Sequence, residues 1–222
     1  MARTFLIATR NLHKTREIRG ILGARHAYLT LADLPGVPEV VEDADSFSGN
    51  ALKKARALAR WIQARPEGVG GMIDTGSVSI VADDSGLEVD ALNGAPGIHS
   101  ARFAALDRPG HAGNSSDEDN NRKLLRLLEG VPDEKRTGRF RCVIALVSVE
   151  GGMSAKTFDG TCEGRIGREQ RGECGFGYDP LFTPQGHPQT FAELDESAKN
   201  RISHRSRALA LLKMYLDGGE SA

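Results

Sequence analysis

Hydrophobic positions along this chain follow two periods, and the switch between them marks its elements. Thr4 to Ala8 is a short apolar run suited to a buried first strand. Beyond it, Ile18, Ile21 and Leu22 fall on one face of a helical segment that Gly23 ends. Ala27 to Leu34 predicts a second strand and its turn, and Pro35 to Ser46 is a loop carrying Glu39, Glu42, Asp43 and Asp45. A strong helix follows from Ser48 to Gln63. Its apolar stripe is Ala51, Leu52, Ala55, Leu58, Ala59 and Ile62, while Lys53, Lys54, Arg56 and Arg60 lie elsewhere around it. Arg65 to Ser77 reads as an exposed, glycine-rich loop.

The apolar run Val78 to Ala82 then meets Asp83-Asp84-Ser85-Gly86. This reads as a buried strand that ends by delivering charge. Gly94, Pro96 and Gly97 predict a compact, irregular turn after it. Leu106 to Ser116 is loop-like, and Asp117 or Asp119 can cap a helix bearing Leu124, Leu125 and Leu128. Arg139 to Val149 is apolar on both faces, the mark of a central strand in a covered sheet. After a Gly151-Gly152 turn, Met153 to Arg165 reads as one or two further strands, Lys156 to Phe158 and Cys162 to Ile166, antiparallel to their neighbours. Gly172 to Phe182 presents an aromatic turn. Asp195 caps a short helix holding Lys199, and a last helix buries Leu209, Leu212, Tyr215 and Leu216 before Gly218-Gly219.

Composition narrows the class. With 39% hydrophobic and 27% charged residues, the 222-residue chain has the balance of a globular protein. A formal net charge of -1 argues against a broad grip on a nucleic-acid backbone, so a polyanion must be met by a local cluster of donors. No apolar run approaches the ~18 residues of a membrane span, and the first residues lack a signal-peptide profile. Cys142, Cys162 and Cys174 are odd in number and show no Cys-x-x-Cys spacing, which suggests neither a disulfide frame nor a zinc site. A cytoplasmic protein with no nucleic-acid or membrane partner is the expectation.

Several stretches carry candidate chemistry. Adjacent carboxylates such as Asp83 and Asp84 are costly to hold together unless a cation or a proton relieves them. A magnesium ion suits hard oxygen ligands, and a carboxylate can deprotonate an attacking water. The bland reading is a strand end whose acids cap a turn. Ser85 lacks a Gly-x-Ser-x-Gly elbow and reads better as a phosphate-binding hydroxyl than as a nucleophile. Thr9, Asn11 and Lys14 sit between a strand and a helix, where free N–H groups favour an anion; helix capping alone also explains Thr9 or Asn11. Lys54 and Glu42 read first as a solvated helix lysine and as loop acidity. Phe176 and Tyr178 offer rings for stacking on a base, Asp179 an acceptor, and Lys199, His204 and Arg205 donors for a carbonyl edge. The bland alternatives there are packing and capping.

Four ordered signatures together carry a resemblance over nearly the whole chain. They are Thr9-Arg10-Asn11-Leu12-His13-Lys14; Asp83 to Leu87 with Gly94-Ala95-Pro96-Gly97 and Ser100-Ala101-Arg102; Phe176-Gly177-Tyr178-Asp179-Pro180; and Ser203-His204-Arg205. The sequence resembles the inosine/xanthosine triphosphate pyrophosphatase family. That resemblance implies one α/β domain over residues 1–222. Its parts would be an elongated central mixed sheet flanked by helices, and two lobes with the active-site cleft between them. It implies a homodimer and Mg²⁺-dependent hydrolysis of deaminated purine nucleoside triphosphates such as ITP, dITP and XTP to monophosphate and pyrophosphate.

By position, the resemblance implies that Thr9, Arg10, Asn11, Leu12, His13, Lys14 and Lys54 hold phosphates. It implies that Glu42 and Asp84 hold the metal, with Asp84 also the proton acceptor. Ser85, Phe176, Gly177, Tyr178, Asp179, Lys199, His204 and Arg205 match the substrate contacts. This chain departs from the family pattern in three places: Arg10 stands where the family reads Gly, Gly49 replaces an acid before Asn50, and the glycine-rich stretch from Pro66 to Gly76 is longer. Two other functions fit the same residues: a pyrophosphatase of other modified nucleoside triphosphates, and a nucleotide-binding regulator without turnover.

Overall fold

A computed structural model describes residues 3–65, 78–107, 113–149 and 153–218. The glycine-rich stretch of 66–77, the Gly151-Gly152 turn and Gly219 lie outside the described residues. Strands and helices alternate through the first half in the order β1 (Thr4–Ile7), α1 (Leu12–Leu22), β2 (Ala27–Thr30), α2 (Phe47–Gln63) and β3 (Val78–Val89). α3 (Asp117–Leu127), β4 (Thr137–Ser148), β5 (Ala155–Ile166), β6 (Phe182–Pro184), α4 (Glu196–Ile202) and α5 (His204–Leu216) complete the chain. The six strands form one sheet in the order β2-β1-β3-β4-β5-β6. β1 runs parallel to β2 and β3, with Phe5 beside Tyr28 on one side and Ser79 on the other. β6 is antiparallel to β5. The fold is therefore mixed α/β, as the resemblance implies. No helix among the described residues is long and apolar enough to cross a membrane.

The chain divides into two compact units. The first comprises Met1–Asp84, Cys142–Gly160 and Arg205–Ala222; the second comprises Ser85–Arg141 and Thr161–His204. In the first unit, Phe5, Ile7 and Val81 of the sheet pack with Cys142, Ile144 and Leu146, against Ile18 and Leu22 of α1 and Leu209 and Leu212 of α5. α2 buries Phe47, Ala51, Ala55, Leu58, Ala59 and Ile62, close to the stripe its sequence predicts. In the second unit the core gathers Leu87, Val89, Phe103, Leu124, Phe140, Tyr178, Phe182 and Phe191. Three phenylalanine rings cluster within it: Phe140 and Phe182 meet edge to face with centroids 4.8 Å apart, Phe182 and Phe191 are tilted at 5.1 Å, and Phe140 stacks on Phe191 at 5.8 Å.

Three local differences from the sequence reading have physical reasons. β3 does not end at the acids; it runs through them to Val89, because Leu87 and Val89 are fully buried and keep the strand alternation going. The irregular turn begins only at Asp90. α3 is capped by Ser116, whose hydroxyl accepts from the Asp119 N–H, so Asp117 and Asp119 fall inside the first turn, where they suit the helix dipole. Of the one or two strands expected between Met153 and Arg165, the structure forms one continuous strand. β6, three residues long, carries too little pattern to be read in advance.

Candidate active site

The strand–turn–helix at the start of the chain is built by its own side chains. Asn11 caps α1 and accepts from the Lys14 N–H, while the Asn11 N–H donates to Thr9 Oγ1 at 3.1 Å. These bonds hold the turn while leaving the side chains of Leu12 and His13 exposed. The Arg10 side chain is exposed as well, and its guanidinium donates to the Val37 carbonyl at 3.2 Å. Lys14, one turn into the helix, ion-pairs with Asp83.

Successive side chains of a strand point to opposite faces, and this separates the two neighbouring acids. Asp83 faces α1 and α5. It takes Lys14, the Arg205 Nε at 2.8 Å and the Cys142 thiol at 3.1 Å. Arg205 is 1% exposed, and its other arm ion-pairs with Glu17, back on α1. A ring of charge thus runs from α1 to β3 to α5 and returns to α1. Burial alone would raise the Asp83 pKa, but the charges of Arg205 and Lys14 overcome it and hold the carboxyl well below its usual range. Burial and the neighbouring Asp83 charge push the Cys142 thiol far up, so it stays protonated and donates.

Asp84 faces α2, in a poorer environment. Lys54 Nζ lies 2.9 Å from Asp84 Oδ1 and 3.1 Å from Glu42 Oε2, one ammonium between two carboxylates. Asp84 Oδ2 is buried and accepts no hydrogen bond from the described residues. Burial pushes the Asp84 pKa up to about 6 against the opposing charges of Lys54 and Lys14, with the Glu42 carboxyl against it adding to the rise. Glu42 is pulled the other way: burial would raise it, but Lys54 brings it below the usual range. Lys54 itself is raised, since Asp84 and Glu42 outweigh the cost of its burial.

Glu42 is held by a loop that is anchored to α2 at three consecutive residues. Glu42 meets Lys54, Asp43 meets Lys53, and the Ala44 N–H donates to Asn50 Oδ1 at 3.0 Å. Gly49 has a local reason within this turn: a Cβ there would come within 2.8 Å of the Ala44 Cβ and 3.0 Å of Ser46 Oγ.

The second unit holds the aromatic turn. Asp179, 2% exposed, accepts from the Phe176 N–H at 2.9 Å and from Lys199 Nζ at 2.7 Å. The Lys199 ammonium lies 5.0 Å from the centre of the Phe176 ring. Gly175 and Gly177 take positive φ, and a Cβ on Gly175 would strike Asp179 Oδ2 at 2.1 Å. Asp117 accepts from the Gly177 N–H at 2.6 Å and Asn121 donates to the Gly177 carbonyl at 3.0 Å. The His204 ring stacks on Phe140, with centroids 4.7 Å apart. Ser85 begins this unit, half-buried.

The predicted residues therefore separate by unit. Thr9 to Lys14, Glu42, Lys54, Asp84 and Arg205 belong to the first; Ser85, Phe176 to Asp179, Lys199 and His204 belong to the second. Lys54 and Glu42, each with a bland reading in sequence, meet at Asp84. Tyr178, read as a stacking ring, is instead a core residue 3% exposed whose hydroxyl donates to the Ser100 carbonyl at 2.8 Å. Of the two aromatic residues in that turn, Phe176 keeps more exposure. Arg205 and Asp179, read as groups facing the base, are engaged by buried side chains of their own units. Sequence reasoning missed Glu17, Asn50, Asn121 and Cys142. Glu17 and Asn50 carried a signal, since each is a polar residue at the edge of a helix's apolar stripe.

This fold and site define an α/β protein with a side-chain-capped strand–turn–helix start and a buried lysine–dicarboxylate group. The chain belongs to the Ham1 family, whose model matches residues 5–215. It is 49% identical over 212 residues to a Geobacter sulfurreducens protein named dITP/XTP pyrophosphatase, covering 95% of both chains. It is 47% identical over 205 residues to a protein of the same name from Desulforamulus reducens, covering 92% of this chain and 90% of that one. The solved structure of the Staphylococcus aureus Ham1 protein superposes with a TM-score of 0.78 at 35% identity, over 97% of this chain and 99% of that one. That of a Mycobacterium abscessus nucleoside-triphosphatase / dITP/XTP pyrophosphatase gives 0.67 at 38% identity, over 94% and 98%.

Proposed function

We propose that this chain hydrolyses deaminated purine nucleoside triphosphates, with ITP, dITP and XTP as substrates, to the monophosphate and pyrophosphate. The names of its relatives point to this reaction. The observation that carries it here is Asp84: a buried carboxylate raised to about 6, paired with Lys54, with one oxygen lacking any donor among the described residues. A group in that state is suited to take a proton near neutral pH.

Mg²⁺ is the cation this site suits. Two carboxylates against one ammonium leave negative charge uncompensated, and Asp84 Oδ2 has nothing to accept from. Among the described residues no group of three or more His, Cys, Asp or Glu could hold a metal, so Glu42 and Asp84 would share the ion with water and substrate oxygens, as magnesium prefers. When bound, the ion would offset charge on the phosphate oxygens.

The chain's own residues do the rest. Asp84 accepts the proton of the attacking water. Lys54 keeps Asp84 and Glu42 in place, and Lys14, its side chain 15% exposed and aimed by Asp83, offsets phosphate charge at the helix start. In the second unit, Phe176 offers a ring face for a base. A purine with a carbonyl at position 6 suits donors such as histidine, while the amino group of adenine would leave such a donor unpaired, at roughly 1–3 kcal/mol. A panel of ITP, XTP, dITP, ATP, GTP and modified pyrimidine triphosphates with Mg²⁺ tests the reading. Pyrophosphate is expected from the deaminated purines first, and orthophosphate as the released product would overturn the cleavage assignment.

A further inference from the structure

Asn50 is fully buried on the inner face of α2, one turn before Lys54. Its amide has two ends with different circumstances. Oδ1 accepts the Ala44 N–H at 3.0 Å; Nδ2 is buried and finds no acceptor among the described residues. A buried amide donor without an acceptor costs about 1–3 kcal/mol, so an apolar residue would serve better if packing were the only requirement.

The contact at Oδ1 has a particular consequence. Of the three anchors that tie the Glu42 loop to α2, the Asp43–Lys53 pair is exposed and screened, and the Glu42–Lys54 pair must loosen whenever another cation draws on Glu42. The Ala44–Asn50 bond is independent of charge. The Asn50 N–H also bonds to the Ser46 carbonyl, and Ser46 caps the helix through the Gly49 N–H, so residues 44–50 close on themselves. Glu42 is two residues from the point that Asn50 holds.

We propose that Asn50 is a positioning residue for the pyrophosphatase site: its Oδ1 fixes the loop that aims Glu42. The inference rests on the metal-assisted reading above. Asn50→Asp keeps an acceptor for the Ala44 N–H; Asn50→Ala removes it. Calorimetric titration of each protein with Mg²⁺ alone reads the role without turnover.

Asn50→Ala is expected to bind Mg²⁺ roughly 10-fold or more weakly, as loss of a supporting hydrogen bond does at other metal sites. Asn50→Asp is expected to retain Mg²⁺ binding within a few-fold, because its carboxylate still accepts the Ala44 N–H. Parent-like Mg²⁺ affinity in Asn50→Ala, or equal losses of Mg²⁺ affinity in both variants, overturn the proposal. If the parent itself binds no Mg²⁺, it is the metal-assisted reading that fails.

Discussion

Asp83 and Asp84 share a peptide bond and are almost equally buried, yet they sit in opposite environments. Asp83 meets Lys14, Arg205 and Cys142, and Glu17 completes the ring. Asp84 shares Lys54 with Glu42 and keeps one oxygen without a donor. One carboxyl is held far below its usual pKa and the other is raised to about 6. The contrast teaches that burial alone says little about an acid's role. A satisfied charge stiffens the fold and orients a neighbour; an under-satisfied one stores the capacity to take a proton or a cation.

The largest expected effect tests the second half of that contrast. Asp84→Asn should lower the rate of pyrophosphate release from ITP by roughly 10²–10⁴-fold, the worth of a general base. Its thermal midpoint should stay at or above the parent's, because a desolvated carboxylate is removed. A near-parent rate removes Asp84 as the base. Asp83→Asn tests the first half. It leaves Lys14 and Arg205 without their shared anion and should cost about 3–5 kcal/mol in chemical denaturation, as breaking a buried ion pair does. An unchanged denaturation midpoint would break the comparison outright.

Two smaller effects sharpen it. Mg²⁺ at ~100-fold its dissociation constant should stabilise the parent by about 2.7 kcal/mol, seen as a rise in melting temperature that a chelator reverses. Asp84→Asn should lose most of that rise and Asp83→Asn should keep it, since only Asp84 is proposed to face the ion. Cys142→Ala removes one donor of three from Asp83 and should cost about 1 kcal/mol while leaving the rate with ITP unchanged. A large loss of rate in that variant would mean the two faces of β3 are not independent.

Much of this was legible in the chain. The strand and helix at the N-terminus, with Asn11 as cap and Gly23 as stop, are written in contiguous residues, and so is the Asp195 cap that places Lys199. α2 starts within one residue of the predicted position because Ser46 and the apolar stripe mark it. Less local matters were not legible. Lys54 looks like any helix lysine until Asp84, 30 residues on, is set beside it. Tyr178 and Arg205 look like free functional groups until their partners 78 and 122 residues away are known. Gly49 reads as a missing acid until Ala44 is seen to fill the space of its side chain.

The sequence by itself determined most of the elements, their order and two adjacent acids beside an apolar strand run, because helix and strand periods and caps depend on neighbours within a few residues. The structure carries β3 through those acids, and alternation along it then makes them face opposite ways. Only the tertiary structure decided what each would face. α1 and α5 bring two cations and a thiol to Asp83, and α2 with its preceding loop brings one lysine and a second acid to Asp84. The strand pattern is a local property of the backbone, whereas the charge around a buried carboxyl is set by helices distant in the chain, and that charge separates a structural acid from a reactive one.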